Sequence, residues 1–282
     1  MSMNMYEGYF GLEKRPFTLV PDPDFLFWTP QHRRAFAVLE FGVMSQAPIT
    51  LITGEVGAGK TTLLQALLGR MTEELKVGVV SNAQGERGEL LQWALNALGL
   101  ELHDGESHVQ SFQRLQDQLL ADYAAGRRVV LIFDEAQNLT KQALEELRML
   151  TNINSSQDML LQIILVGQPE LRDLVRAPDM SQLAQRVAAH YHLQGLDADH
   201  TAGFVAHRLR QAGGTGDEIT RDAASLVHQA TQGLPRLINQ LCDLTMLYAW
   251  SGNQTVVTEG TVREVLDDGV FFGGGLGDGK VH

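Results

Sequence analysis

Between residues 49 and 193, short runs of apolar residues alternate with segments in which apolar residues recur every three or four positions. The short runs are Ile49–Thr53, Val77–Ser81, Val129–Asp134, Leu161–Gly167 and Ala188–Leu193. Each has the length of a strand, and Val129 to Phe133 is unbroken, as expected for a parallel strand covered on both faces. The periodic segments predict helices. One is Thr62–Leu68. A second, Gly88–Leu98, puts Leu90, Leu91, Ala94, Leu95 and Leu98 on one face and stops at Gly99. Gln110–Ala125 ends at Gly126, and Lys141–Asn152 turns Leu144, Leu147 and Leu150 inward. Strands and helices in this alternation predict an α/β fold with a five-stranded parallel sheet covered by helices.

After Gly195 the strand signal vanishes. Asp199–Ala212, Arg221–Gln232, Leu234–Trp250 and Thr258–Asp268 all carry helical periodicity, so residues 196–270 are expected to form a small helical lid beside a core of residues 1–195. Residues 271–282 read as a flexible glycine-rich tail whose Phe271-Phe272 pair can anchor on the lid, the plainer option, or on a partner. Tyr9 to Trp28 is rich in aromatics and prolines without either period. It is expected to lie as an ordered arm over the core.

Charge and composition then narrow the class. Acidic residues outnumber basic ones 34 to 22, a net charge of −12, and the lid segment alone holds ten acidic residues against five arginines. No basic grouping is longer than a pair, such as Arg33-Arg34 or Arg127-Arg128. Nucleic acid is therefore not an expected partner. The single cysteine, Cys242, excludes an intramolecular disulfide and a cysteine-based zinc site. No apolar stretch approaches the roughly 20 residues that span a bilayer, and the N-terminus has no signal-peptide core. The expectation is a cytoplasmic protein that reaches the inner membrane, if at all, through a partner.

The chemistry concentrates in two places. Gly54-Glu55-Val56-Gly57-Ala58-Gly59-Lys60-Thr61, followed by Thr62, has the P-loop spacing and lies between an apolar run and a helical one. Successive N–H groups and a helix N-terminus there point at an anion. These residues are the candidate ATP site, with Lys60 on the β- and γ-phosphates and the Thr61 hydroxyl on Mg²⁺. Val129 to Phe133 ends in Asp134-Glu135. Asp134 is the second candidate for the Mg²⁺ shell. Glu135 is the candidate to orient or deprotonate the attacking water.

A P-loop core followed by an all-helical lid is the AAA+ layout, and three more residues fit its roles. Gln168, after the fourth run, is placed to sense the γ-phosphate. Arg186, just before the fifth, is placed as an arginine finger toward a neighbouring subunit, with Arg148 as the alternative finger. Arg236 in Gly233-Leu234-Pro235-Arg236 opens the long lid helix and is placed to contact the nucleotide. For each, a surface ion pair is the plainer alternative.

Several phrases then resemble one family, the ExeA/GspA-type secretion ATPases. They are Tyr9-Phe10-Gly11-Leu12, Pro16-Phe17, Pro21-Asp22-Pro23, Phe25-Leu26-Phe27 and His32 near the start. Phe133-Asp134-Glu135-Ala136-Gln137-Asn138-Leu139, Leu165-Val166-Gly167-Gln168-Pro169-Glu170-Leu171 and Gly233-Leu234-Pro235-Arg236-Leu237-Ile238-Asn239 follow. The resemblance implies an Mg²⁺-dependent ATPase, self-associating with nucleotide. It also implies coupling to assembly or regulation of cell-envelope machinery: type II secretion, type IV pili or exopolysaccharide export. Longer members continue into a transmembrane helix and a peptidoglycan-binding domain. This chain is expected to stop in its glycine-rich tail and so resembles the short branch, of which the mannose-sensitive haemagglutinin pilus biogenesis ATPase is an example. Related AAA+ proteins use the N-terminal segment to wall the adenine, which makes Pro16 and Phe17 candidates for that wall. A DNA-associated regulator of the MuB/TniB transposition kind shares the core and stands as the alternative; the acidic charge speaks against it.

Overall fold

The computed structural model describes residues 5–20, 25, 27–81, 89–103, 105–155 and 158–273. Gly88, the Pro21-Asp22-Pro23 phrase, Leu26 and the tail from residue 274 lie outside them. The strands are β1 (Ile49–Gly54), β2 (Leu75–Val80), β3 (Arg128–Phe133), β4 (Leu161–Gly167) and β5 (Val187–Leu193). They form one parallel sheet in the order β2-β3-β4-β1-β5. The helices are α1 (Pro30–Met44), α2 (Lys60–Leu68), α3 (Glu89–Ala97), α4 (His108–Ala124), α5 (Lys141–Leu150), α6 (Pro169–Val175), α7 (Ser181–Ala184), α8 (Ala198–Gln211), α9 (Arg221–Thr231), α10 (Pro235–Ser251) and α11 (Glu259–Asp267).

Contacts divide the chain into two compact units. One comprises Pro30–Gly54 and Leu63–Leu193; the other comprises Met1–Thr29, Glu55–Thr62 and Gln194–His282. In the sheet unit, β1 and β4 are buried along their whole length, as their apolar composition requires. Side chains alternate between two faces. Ile49, Leu51, Leu131, Phe133, Ile163 and Leu165 share one core with Leu91 and Leu95 of α3, Leu115 of α4 and Leu144 and Leu147 of α5. The other face meets α1: a Cβ on Gly42 would overlap the Thr50 side chain. Gln162 Nε2 also donates to the Gly42 and Val43 carbonyls at 3.1 and 3.2 Å.

Element ends moved where capping outweighed periodicity. α4 begins at His108 rather than Gln110, because Ser107 and Gln110 form a capping box with Gln110 at its third position. β2 begins two residues before the predicted Val77. Lys76 hides that extension in the sequence, yet it pairs with Val129, and its Nζ reaches buried Asp122 at 3.2 Å.

In the helical unit, α8 to α11 share a core that also contains Tyr6, Leu12, Phe17 and Phe25. The arm therefore packs on the lid helices and groups with them rather than with the core, a correction to the expectation above. Its polar anchors explain why. Arg208 is buried, donates from Nε to the Pro16 carbonyl at 2.5 Å and lies 4.5 Å over the Phe25 ring. Asp243 accepts from Tyr6 Oη and from Arg15, whose Nε is 2.8 Å away. Phe17 is only 1% exposed, so its ring is spent on this core rather than held out as a wall for a ligand. Of the terminal pair, Phe271 packs against the same core while Phe272 is exposed.

Candidate functional site

β1 delivers the chain to the glycine loop at Gly54, and the loop, residues 55–62, groups with the helical unit. Gly57 and Gly59 adopt φ of +79° and +98°. These left-handed values turn consecutive N–H groups toward one concavity, a conformation that costs glycine least. Ala58 N donates to the Glu55 carbonyl at 3.1 Å, closing the turn. Lys60 opens α2, is 7% exposed and donates from Nζ to the same carbonyl at 3.0 Å. The Thr61 side chain, next in the helix, is exposed. A buried ammonium beside inward-turned N–H groups and a helix N-terminus is a site built for a polyanion.

Arg236 meets this loop within the same unit. Its N–H donates to the Gly57 carbonyl at 3.3 Å, and a Cβ on Gly57 would overlap the Arg236 Cβ. Gly233 makes this approach possible. At φ +70° it packs so tightly on Leu196 that any side chain would strike the Leu196 carbonyl, and its own carbonyl accepts from Leu196 N at 2.8 Å. Pro235 then starts α10.

The sheet unit holds the other group. β3 ends at Phe133, and Asp134 N donates to the Val80 carbonyl at 3.0 Å while the carboxylate accepts from Glu135 N at 2.9 Å. Glu135 has φ 55° and ψ 35°, a left-handed backbone that a non-glycine residue adopts only when its surroundings impose it. Its carboxylate meets two amides. Glu135 Oε2 accepts from Gln137 Nε2 at 2.6 Å and from Gln168 Nε2 at 3.3 Å. Gln137 Oε1 accepts from Gln168 N at 3.0 Å, which ties all three residues together. Gly167 leaves the space, since a Cβ there would press on Gln137 Oε1 at 2.8 Å. Gln137 was visible in the sequence only as part of a family phrase. No spacing rule marks it, because its role depends on β4 lying beside β3.

Arg186 and Arg148 lie elsewhere in this unit. Arg186 Nη2 donates to Asn152 Oδ1 just past α5, and Arg148 Nε pairs with Glu145 at 2.7 Å. Val187, the residue after Arg186, aligns with Ile49 at the start of β1, whereas Gly54 aligns with Leu193. Arg186 thus sits at the opposite end of the strands from the start of the glycine loop.

A histidine pair borders β1 and was not singled out by the sequence. Thr53 Oγ1, fully buried, is 2.9 Å from His192 Nδ1 and 3.3 Å from His190 Nε2 on β5. Burial, then Arg176, His192 and Arg172, hold the His190 pKa below its ordinary 6.5. The unfolded chain consequently takes up this proton more readily than the folded one. Stability linked to His190 is complete above pH 6.5 and is lost as pH falls toward the depressed folded value. Melting temperature should fall between pH 7.5 and 5.5, and His190→Gln should flatten that slope. His207, shifted the same way by burial, leaves a remainder. An unchanged slope in His190→Gln would place the linkage elsewhere.

Among the described residues no helix is long and apolar enough to cross a membrane. Comparison with known proteins is in accord with this geometry. Residues 43–175 match the family described as AAA domain. General secretion pathway protein A of Aeromonas hydrophila is 36% identical over 258 residues, which is 92% of this chain and 47% of that protein. The chain thus spans about half the length of that relative. Among solved structures, the ORC2 protein of Aeropyrum pernix in ADPNP-ADP complexes is 18% identical with a TM-score of 0.66, covering 91% of this chain and 72% of that one. Cdc6p from Pyrobaculum aerophilum is 15% identical with a TM-score of 0.67, covering 90% and 72%. At such identities these two show the fold alone. The chain thus has the P-loop fold of the AAA domain, and along 92% of its length it is similar to general secretion pathway protein A.

Proposed function

We propose that this chain is an Mg²⁺-dependent ATPase that hydrolyses ATP to ADP and phosphate and assembles with copies of itself when nucleotide is bound. The observation that carries the reading is Glu135, held in a left-handed backbone with its carboxylate fixed by the Gln137 and Gln168 amides. A carboxylate so oriented can take a proton from water, and the amide of Gln168 can report on a phosphate through the hydrogen bond it shares. The residues suit the nucleotide. Gly57 and Gly59 turn N–H groups inward, and Lys60 supplies a buried positive charge for the β- and γ-phosphates. Residues 54–62 are the proposed cradle, with Arg236 reaching the nucleotide from the lid. Mg²⁺, when bound, neutralises charge on the phosphate oxygens. Thr61 and Asp134 are the residues that would hold it.

Hydrolysis is proposed to drive assembly or regulation of cell-envelope machinery, through a protein partner that brings the chain to the inner membrane. Kinship with general secretion pathway protein A supports this reading, and the net charge of −12 disfavours nucleic acid as partner. Type II secretion, type IV pili and exopolysaccharide export are the candidate systems. Lys60→Ala tests the site. Loss of a charge-assisted phosphate contact worth ~1.5–3 kcal/mol should weaken ATP binding about ten- to a hundredfold. Equal ATP affinity in the variant, measured by calorimetry, would remove the glycine loop from the site.

A further inference from the structure

We infer that the sheet unit carries a head-to-tail docking site for a second copy of this chain: the cavity beside α5 takes Arg34 and the apolar stripe of α1 from the next copy. The cavity, about 440 Å³, is walled by Phe112 of α4, Met149 and Leu150 of α5, and Met180. Glu146 also lines it. Its side chain is 8% exposed, neither carboxylate oxygen has a hydrogen-bond partner, and a ring nitrogen, His108 Nδ1, lies 3.5 Å away. The other charges around the cavity are matched locally, Lys141 by Asp179 and Arg148 by Glu145. A buried carboxylate without hydrogen bonds is costly in the isolated subunit, and the cost is relieved by a donor arriving from outside. Met149, 56% exposed, adds an apolar rim. The occupant that fits is a guanidinium flanked by apolar side chains, since its planar fork can serve both oxygens at once.

The chain itself presents such a group. On α1, Arg34, Phe41 and Met44 fall along one stripe by their spacing of seven and three residues. All three are exposed, Phe41 by 59% and Met44 by 78%. Two large apolar side chains this open on one helix are a contact surface more than a solvated one. Glu40, at the edge of the stripe, is taken up by Arg70 at 3.0 Å. α1 packs on the Thr50 face of the sheet, while α4 and α5 pack on the Leu51 face. Stripe and cavity are therefore on opposite sides of one rigid sheet. Each copy offers one and accepts the other, a heterologous contact that repeats instead of closing as a twofold dimer.

This contact is separate from the finger role proposed for Arg186, so the test runs in the 282-residue chain and in its Arg186→Ala form. The native Cys242 is fully buried, which allows cysteine-directed cross-linking at chosen positions. The Phe41→Cys/Met149→Cys protein with a short bis-maleimide should give a ladder of dimers, trimers and larger species in both backgrounds. Either single variant should give only monomer on a denaturing gel. Dimers from a single variant, or no ladder from the double one, would overturn the proposal. Glu146→Gln keeps the shape and removes the charge. It should raise the concentration for half-assembly about tenfold, as expected for losing one charged hydrogen bond. Arg34→Ala should do the same, with no further loss on combining the two. Melting temperature should hold or rise in Glu146→Gln. A lower melting temperature with an unchanged ladder would make Glu146 merely structural.

Discussion

Glu135→Gln protein is expected to bind ATP as the parent does and to release phosphate at least about a hundredfold more slowly, the usual contribution of a positioned proton acceptor. The substitution preserves size and the left-handed backbone at Glu135, so the glycine loop and Lys60 should be unaffected. What it removes is basicity, while the amide oxygen can still accept from the Gln137 and Gln168 amides that meet on one oxygen of Glu135. An amide in that place offers one oxygen where the carboxylate offers two. Gln137→Ala should act more mildly, lowering turnover about tenfold by loosening Glu135 without altering its chemistry. Phosphate release and nucleotide binding measured on the same preparations separate the two effects. Parental turnover in Glu135→Gln would move the base to another residue and leave the amide pair without a catalytic explanation.

What the sequence disclosed and what it withheld divide along a physical line. The sheet was legible because β1, β3 and β4 are buried on both faces and so consist of apolar runs. The glycine loop was legible because left-handed turns beside a phosphate need glycine at fixed spacing. Features made by contacts between distant segments were not. Gln137 gains its role only when Gly167 brings β4 against it. The arm's aromatic residues suggested order, yet its docking on the lid depends on Arg208 and Asp243, some two hundred residues away in sequence. Nothing in the sequence sets Glu146 apart from the other polar positions of Lys141–Asn152; its burial without a hydrogen bond is a property of the fold.

The remaining large effect is expected at Arg186. Five residue steps of β1 separate the level of Ile49, beside Arg186, from Gly54, where the glycine loop begins. At about 3.3 Å per residue that is roughly 17 Å along the strand, beyond the reach of one side chain. A guanidinium at that end can act only on a phosphate brought by another copy. Donation to Asn152 fixes its direction meanwhile. An arginine supplied in trans stabilises charge developing on the transferred phosphoryl group and is worth on the order of 10³-fold or more in turnover. Arg186→Ala should lose activity on that scale, with ATP affinity of the isolated subunit nearly unchanged and nucleotide-dependent assembly reduced. Mixing it with Lys60→Ala protein gives interfaces that pair an intact loop with an intact finger, and part of the activity should return. If Arg186→Ala alone turns over at the parental rate across a wide concentration range, the finger lies elsewhere. Arg148, on α5 two residues from Leu150, is then the residue to change.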